Sequence, residues 1–106
     1  MNAQAHVLTE VSARVSPERE TELLNGYRAL AAQPYPDGLL RSELLRAGDG
    51  RWRVQTLWRD QAALDAMRAR PEPPAAPRLF RSVGAEPSLV VWQVAVSLDP
   101  TATAEA

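Results

Sequence analysis

Between His6 and Val15 the chain alternates, with Val7, Thr9, Val11, Ala13 and Val15 on one face and His6, Leu8, Glu10, Ser12 and Arg14 on the other. A period of two predicts a strand. Ser16 then offers an N-cap and Pro17 a first helical residue, with Glu18, Glu20 and Glu22 near the positive end of the helix dipole. Leu23, Leu24, Tyr27, Leu30 and Ala31 recur as one apolar stripe, the mark of a helix packed on a core. Pro34 ends it, because a residue before proline is driven out of the α region, and Pro36 and Gly38 keep the chain out.

Leu39–Arg46 and Arg51–Arg59 read as two strands around Ala47-Gly48-Asp49-Gly50, where Asp-Gly suits a hairpin turn with positive φ. Leu40, Ser42 and Leu44 share a face of the first, and Trp52, Val54, Thr56 and Trp58 share a face of the second. Asp60 caps a helix that buries Ala63, Leu64 and Met67 and stops at Pro71. Pro71 to Pro77 holds four prolines in seven residues. That density predicts a stiff, exposed connection without helix. Arg78 to Val83 makes one short turn, ended by Gly84. Ser88 to Leu98 is the last strand, apolar on both faces and so expected to be buried on both.

The order is β-α-β-β-α-β, an α+β, ferredoxin-like arrangement with an antiparallel sheet. Residues 6–98 form the expected single domain, and residues 1–5 and 99–106 are expected to be flexible ends. Helices cover only one face of such a sheet. A second copy of the chain is the simplest cover for the other, which predicts a homodimer.

Composition removes several functions. Twelve basic and thirteen acidic residues leave a formal charge of −1, which argues against nucleic acid or an anionic membrane as the main partner. The βαββαβ order also occurs in RNA-binding domains, but here the open sheet face carries Arg53, Gln55 and Leu57 and the pI is about 5.8. With no cysteine and one histidine, thiolate and multi-histidine metal sites are excluded within one chain, and no metal is expected. No segment reads as a signal peptide or membrane span, so the expected location is cytoplasmic.

Val15-Ser16-Pro17-Glu18-Arg19-Glu20, Pro36-Asp37-Gly38-Leu39 and Leu57-Trp58-Arg59-Asp60-Gln61-Ala62-Ala63-Leu64, in that order and spacing, resemble the antibiotic biosynthesis monooxygenase domain. The most specific piece is a tryptophan ending the third strand, followed directly by a capped helix. The resemblance implies two chains packed sheet against sheet as a dimeric α/β barrel, each with a pocket between sheet and helices. It also implies cofactor-independent oxidation of aromatic phenols, oxidation of quinols, or haem degradation. Relatives often carry a histidine nine or ten residues after the strand-end tryptophan, where this chain has Met67 and Arg68. The haem-degrading members place an asparagine on the first strand, at about the position of Val11. Both departures argue against haem degradation, and no cofactor is expected.

Candidate site residues follow from the inner sheet face and the first helix. Trp58 and Trp52 suit either a core or the wall of an aromatic site, and the resemblance favours the wall for Trp58. Tyr27 lies mid-stripe, where its hydroxyl must find protein, water or ligand. Thr9, Ser42 and Thr56 bring hydroxyls to an apolar face, where threonine is also simply a good strand residue. Met67 and Arg68 sit at the relatives' histidine position. Phe80, flanked by Arg78 and Arg81, stands where a pocket lid would lie. His6 is expected at the surface, and Arg41, Glu43, Arg53 and Gln55 on the face toward a partner chain.

Two functions remain. The first is cofactor-independent monooxygenation or quinol oxidation of a small aromatic phenol, quinol or anthrone-like substrate, with Trp58 and Tyr27 as catalytic candidates. Its weak point is the base, since no histidine or carboxylate falls clearly on the pocket face. The second is a non-catalytic dimer that binds a small apolar ligand in the same fold.

Overall fold

The structure, a computed structural model, describes residues 5–98 and 100. Four strands, Val7–Arg14 (β1), Leu39–Arg46 (β2), Arg51–Trp58 (β3) and Ser88–Gln93 (β4), form one antiparallel sheet in the order β2-β3-β1-β4. The helices are Glu20–Ala31 (α1), Gln61–Arg68 (α2) and Ala75–Ser82 (α3), with a 3₁₀ turn at Pro17–Arg19. This is the expected α+β, ferredoxin-like fold. Among the described residues no helix is long and apolar enough to cross a membrane.

The alternation in β1 and β3 sets the inner face as predicted. Val7, Thr9, Val11 and Ala13 are buried on β1, and Trp52, Val54, Thr56 and Trp58 on β3. Asp60 caps α2 by accepting a 2.9 Å hydrogen bond from the Ala63 N–H. Gly84 ends α3 with a φ of +77°. Its N–H donates to the Arg81 carbonyl at 3.0 Å and the Ala85 N–H to the Phe80 carbonyl at 3.0 Å, a Schellman closure.

Several expectations are corrected. Ser16 precedes the 3₁₀ turn, but its hydroxyl makes no cap bond, because the Arg19 N–H is already taken by the Ser16 carbonyl at 2.9 Å. Leu40 is the extra, unpaired residue of a β-bulge between Leu39 and Arg41 and is half exposed, and Leu39 takes the inner-face place opposite Trp58. The proline-rich stretch is helical in its second half, since Ala75-Ala76-Pro77 opens α3. Pro77 falls in the first turn, where a missing N–H costs no intrahelical bond. Residues 74–77 are also half-buried, while Pro71 to Pro73 are exposed as expected.

β4 departs furthest. It ends at Gln93, beyond which the Val94 N–H donates to the His6 carbonyl at 2.9 Å. All six of its residues are exposed in the single chain, because β4 is the sheet's edge and the helices pack over β1 and β3. The expected flexible ends lie mostly outside the described residues.

The buried apolar residues fall into two clusters. The larger joins Val11, Ala13, Val15, Trp52 and Val54 to Leu23 of α1 and Leu79 and Phe80 of α3. The smaller joins Val7 and Trp58 to Ala63 and Leu64 of α2.

Candidate functional site

The polar interruption between the two clusters is a single row across the sheet. Ser42 of β2 pairs with Thr56 of β3, and Thr56 pairs with Thr9 of β1. All three belong to the inner face by strand alternation. Thr9 and Thr56 are each only 7% exposed. They are the buried polar residues among those described.

Side chains from neighbouring elements meet this row. The Trp58 Nε1–H donates to Thr9 Oγ1 at 3.1 Å, and Thr56 Oγ1 donates to Ser42 Oγ at 3.4 Å. Tyr27 reaches down from α1 to share a 2.8 Å hydrogen bond between its hydroxyl and Ser42 Oγ. Trp58 stands at the end of β3 because Asp60 turns the chain at once into α2, whose Ala63 and Leu64 pack on it. Among the described residues no buried side-chain polar atom lacks a partner.

Over this row lies a cavity of about 670 Å³. Its floor is Thr9, Thr56 and Ser42, and its walls include Trp58, Tyr27 and Met67. That volume is within the range of small-molecule sites, and its mostly apolar lining with a few convergent polar groups is the pattern such sites show.

The cavity therefore brings together Thr9, Tyr27, Ser42, Thr56, Trp58, Met67 and Arg68 from the sequence-derived candidates. Trp52 and Phe80 lie elsewhere, and both are corrected to core residues. Trp52 belongs to the larger cluster, its Nε1–H donating to Glu20 Oε2 at 3.2 Å while the Arg46 guanidinium sits 5.1 Å from its ring. Phe80 is fully buried beneath α3, whose two turns, in place of the expected single one, set it into the core shared with Val11 and Leu23. Arg78 borders the cavity and Arg81 does not. His6 is exposed, as expected, and its Nδ1–H donates to the Arg59 carbonyl at 2.9 Å. On the outer face Arg41 pairs with Glu43 at 2.8 Å and Arg53 with Glu10 at 3.5 Å.

Sequence reasoning missed the rim. Pro34, Tyr35 and Pro36 between α1 and β2 border the cavity, as do Arg70 and Glu72 after α2, which pair at 3.8 Å. A tyrosine held between two prolines was the available signal, since that spacing fixes an extended, exposed aromatic; Tyr35 is 67% exposed. Among the described residues no group of three or more acidic or histidine side chains is gathered to hold a metal.

Solved structures share this architecture. A Deinococcus radiodurans protein assigned as an antibiotic biosynthesis monooxygenase superposes with a TM-score of 0.71 at 14% identity, over 88% of this chain and 96% of its own. SnoaB, a cofactor-independent oxygenase from Streptomyces nogalater, gives 0.62 at 19% identity, over 89% and 97%. A heme-degrading protein from Mycobacterium tuberculosis gives 0.57 at 27% identity, over 91% and 99%. No curated protein matches the chain. The sequence profile described as antibiotic biosynthesis monooxygenase matches residues 6–76. The chain belongs to the antibiotic biosynthesis monooxygenase family.

Proposed function

We propose that the protein is a cofactor-independent oxygenase or quinol oxidase for a small aromatic phenol, quinol or anthrone-like substrate. The observation that carries this reading is the cavity itself, an apolar chamber with an indole on its wall and a linked line of hydroxyls on its floor. Likeness to SnoaB in fold supports it. Such a substrate brings its own reducing power, because its anion can pass an electron to dioxygen. An anthrone-like CH₂ and dioxygen become a carbonyl and water, so the exchange balances with no added reductant. The protein's part is to stack the ring against Trp58, orient its oxygens on Tyr27 and the Thr9–Thr56–Ser42 row, and hold bulk water away.

Haem degradation fits these residues poorly. The chain's one histidine is bonded to Arg59, and Met67 and Arg68, at the place of the relatives' histidine, and Val11, at about that of the haem-degrading members' asparagine, line the cavity instead.

Residues 6–98 act in this reading as one domain in the cytoplasm, paired as a homodimer through the outer sheet face. There Leu8 lies in register with Leu57 and Trp92, and Trp92 is 53% exposed in the single chain. Sheet-against-sheet pairing into a dimeric α/β barrel would cover all three. Trp92→Asp is expected to convert a dimer to monomer in light scattering; a wild-type monomer would refute the pairing.

A second reading, a non-catalytic binder of a small apolar ligand, is favoured by one feature. The only carboxylate among the described residues bordering the cavity is Glu72, and it is paired with Arg70. Oxygen uptake by metal-free protein on a panel of anthrones, naphthols and quinols separates the two. Uptake above the spontaneous rate that drops in Trp58→Ala supports the oxygenase. Binding without uptake establishes the second reading.

A further inference from the structure

The hydroxyl row holds more donors than its own bonds consume. Thr9, Ser42, Thr56 and Tyr27 bring four O–H groups, and Trp58 adds one N–H. Three bonds connect them: Trp58 to Thr9 at 3.1 Å, Thr56 to Ser42 at 3.4 Å, and the shared bond of Tyr27 and Ser42 at 2.8 Å. Each bond uses one hydrogen, so five less three leaves two. One belongs to Thr9, which only accepts from Trp58. The other belongs to Tyr27 or Ser42, whichever accepts in their shared bond. Among the described residues neither hydrogen has a protein acceptor, although Thr9 lies 7% exposed on the cavity floor.

A buried hydroxyl hydrogen without an acceptor is costly unless something in the cavity accepts it. The two spare hydrogens lie at separate points along the row, on β1 and at the Tyr27–Ser42 contact, with Thr56 between them in register. Carboxylates and imidazoles, the side chains that would take a hydrogen bond from a ligand hydroxyl most strongly, are absent from this floor.

We infer that the Thr9–Thr56–Ser42 row with Tyr27 is an oxygen-binding cradle that selects ligands by oxygens that accept without donating, namely quinone-type carbonyls and phenolates. This deepens the oxygenase reading, on which it rests for the aromatic character of the ligand. It adds that the site recognises the substrate's anion and its carbonyl product over the neutral ring.

The test is equilibrium binding by calorimetry, with 1,4-naphthoquinone and naphthalene as probes of matched size. The full chain is expected to bind the quinone roughly tenfold more tightly, about what one or two buried hydrogen bonds contribute. Thr9→Val removes the spare hydrogen at that end of the row and should bring the ratio down, while Thr9→Ser, which restores the hydroxyl, should recover it. Thr9→Ala, which introduces no new bulk, keeps the test decisive if Thr9→Val fails to fold. A ratio near one in the wild type, a ratio unmoved by loss of the Thr9 hydroxyl, or binding of neither probe overturns the inference. Turnover is not read here, so quinone selectivity without oxygen uptake would retain the cradle and refute the oxygenase. Uptake with no selectivity would do the reverse.

Discussion

Thr9 and Thr56 stand directly opposite each other on β1 and β3, at the one row where the buried face of the sheet turns polar. Valine and tryptophan occupy the rows on either side. A row of hydroxyls here forgoes apolar packing, and the cavity opens above it.

Trp58 belongs to the smaller core cluster and also borders the cavity, and the burial of its ring is separable by substitution from its bond to Thr9. Trp58→Ala removes a side chain that is 4% exposed and is expected to lower stability by about 3–5 kcal/mol in urea denaturation. Trp58→Phe keeps most of the ring and loses the bond to Thr9, for about 1 kcal/mol. Equal losses for the two would mean that ring burial contributes little.

The turn before β2 depends on Gly38. Its φ is +86°, its carbonyl accepts from the Arg59 N–H at 2.8 Å, and an added Cβ would overlap that of Ala63. Gly38→Ala is expected to cost about 1–3 kcal/mol. Gly48→Ala, where a Cβ meets nothing within 4 Å, should be neutral or slightly stabilising. Thermal melts of the two variants side by side check this.

Acid should loosen the start of α1. The Arg19 guanidinium hydrogen-bonds Glu22 at 2.8 Å and holds its carboxyl below the usual carboxylate range. A carboxyl depressed on folding stabilises fully above its unfolded pKa, and that contribution disappears as pH falls through the folded value. The pair is exposed, so the effect is small. The stability difference between wild type and Glu22→Gln should be present at neutral pH and vanish in strong acid. A difference that grows with acid would contradict the assignment.

With no free base on the described cavity floor, the proton of a phenolic substrate must leave before or during binding. Oxygen uptake is then expected to rise with pH along the substrate's own ionisation. Two phenols of different acidity should give profiles displaced by their difference in pKa. Coincident profiles would reveal a titrating group of the protein instead.

Local rules made much of the fold legible. Alternation placed Thr9, Thr56 and Trp58 on one face, Asp60 marked the start of α2, and Gly84 marked the end of α3. What failed were properties of neighbours in space. Four prolines read as a break until Pro77 is seen in a first turn, and the bulge at Leu40 leaves no local mark. Trp52 and Phe80 are as apolar as Trp58. Which aromatic borders a void depends on where the helices leave the sheet uncovered, and periodicity does not record that. The membership of the hydroxyl row was readable from strand phase, but its bonds to Tyr27 and Trp58 needed the register.

The two apolar clusters also bear on how such a chain can change over time. Val7 and Val11 lie four residues apart on β1, about 13 Å at ~3.3 Å per strand residue, with only Thr9 between them on that face. Both clusters nonetheless border the same cavity, Val11, Val54 and Leu79 from the larger and Trp58 and Leu64 from the smaller. Substitutions that meet through a shared cavity are coupled. A change of chamber size on one side is therefore answered on the other, and the chamber changes shape through paired substitutions, one from each cluster, rather than through single ones.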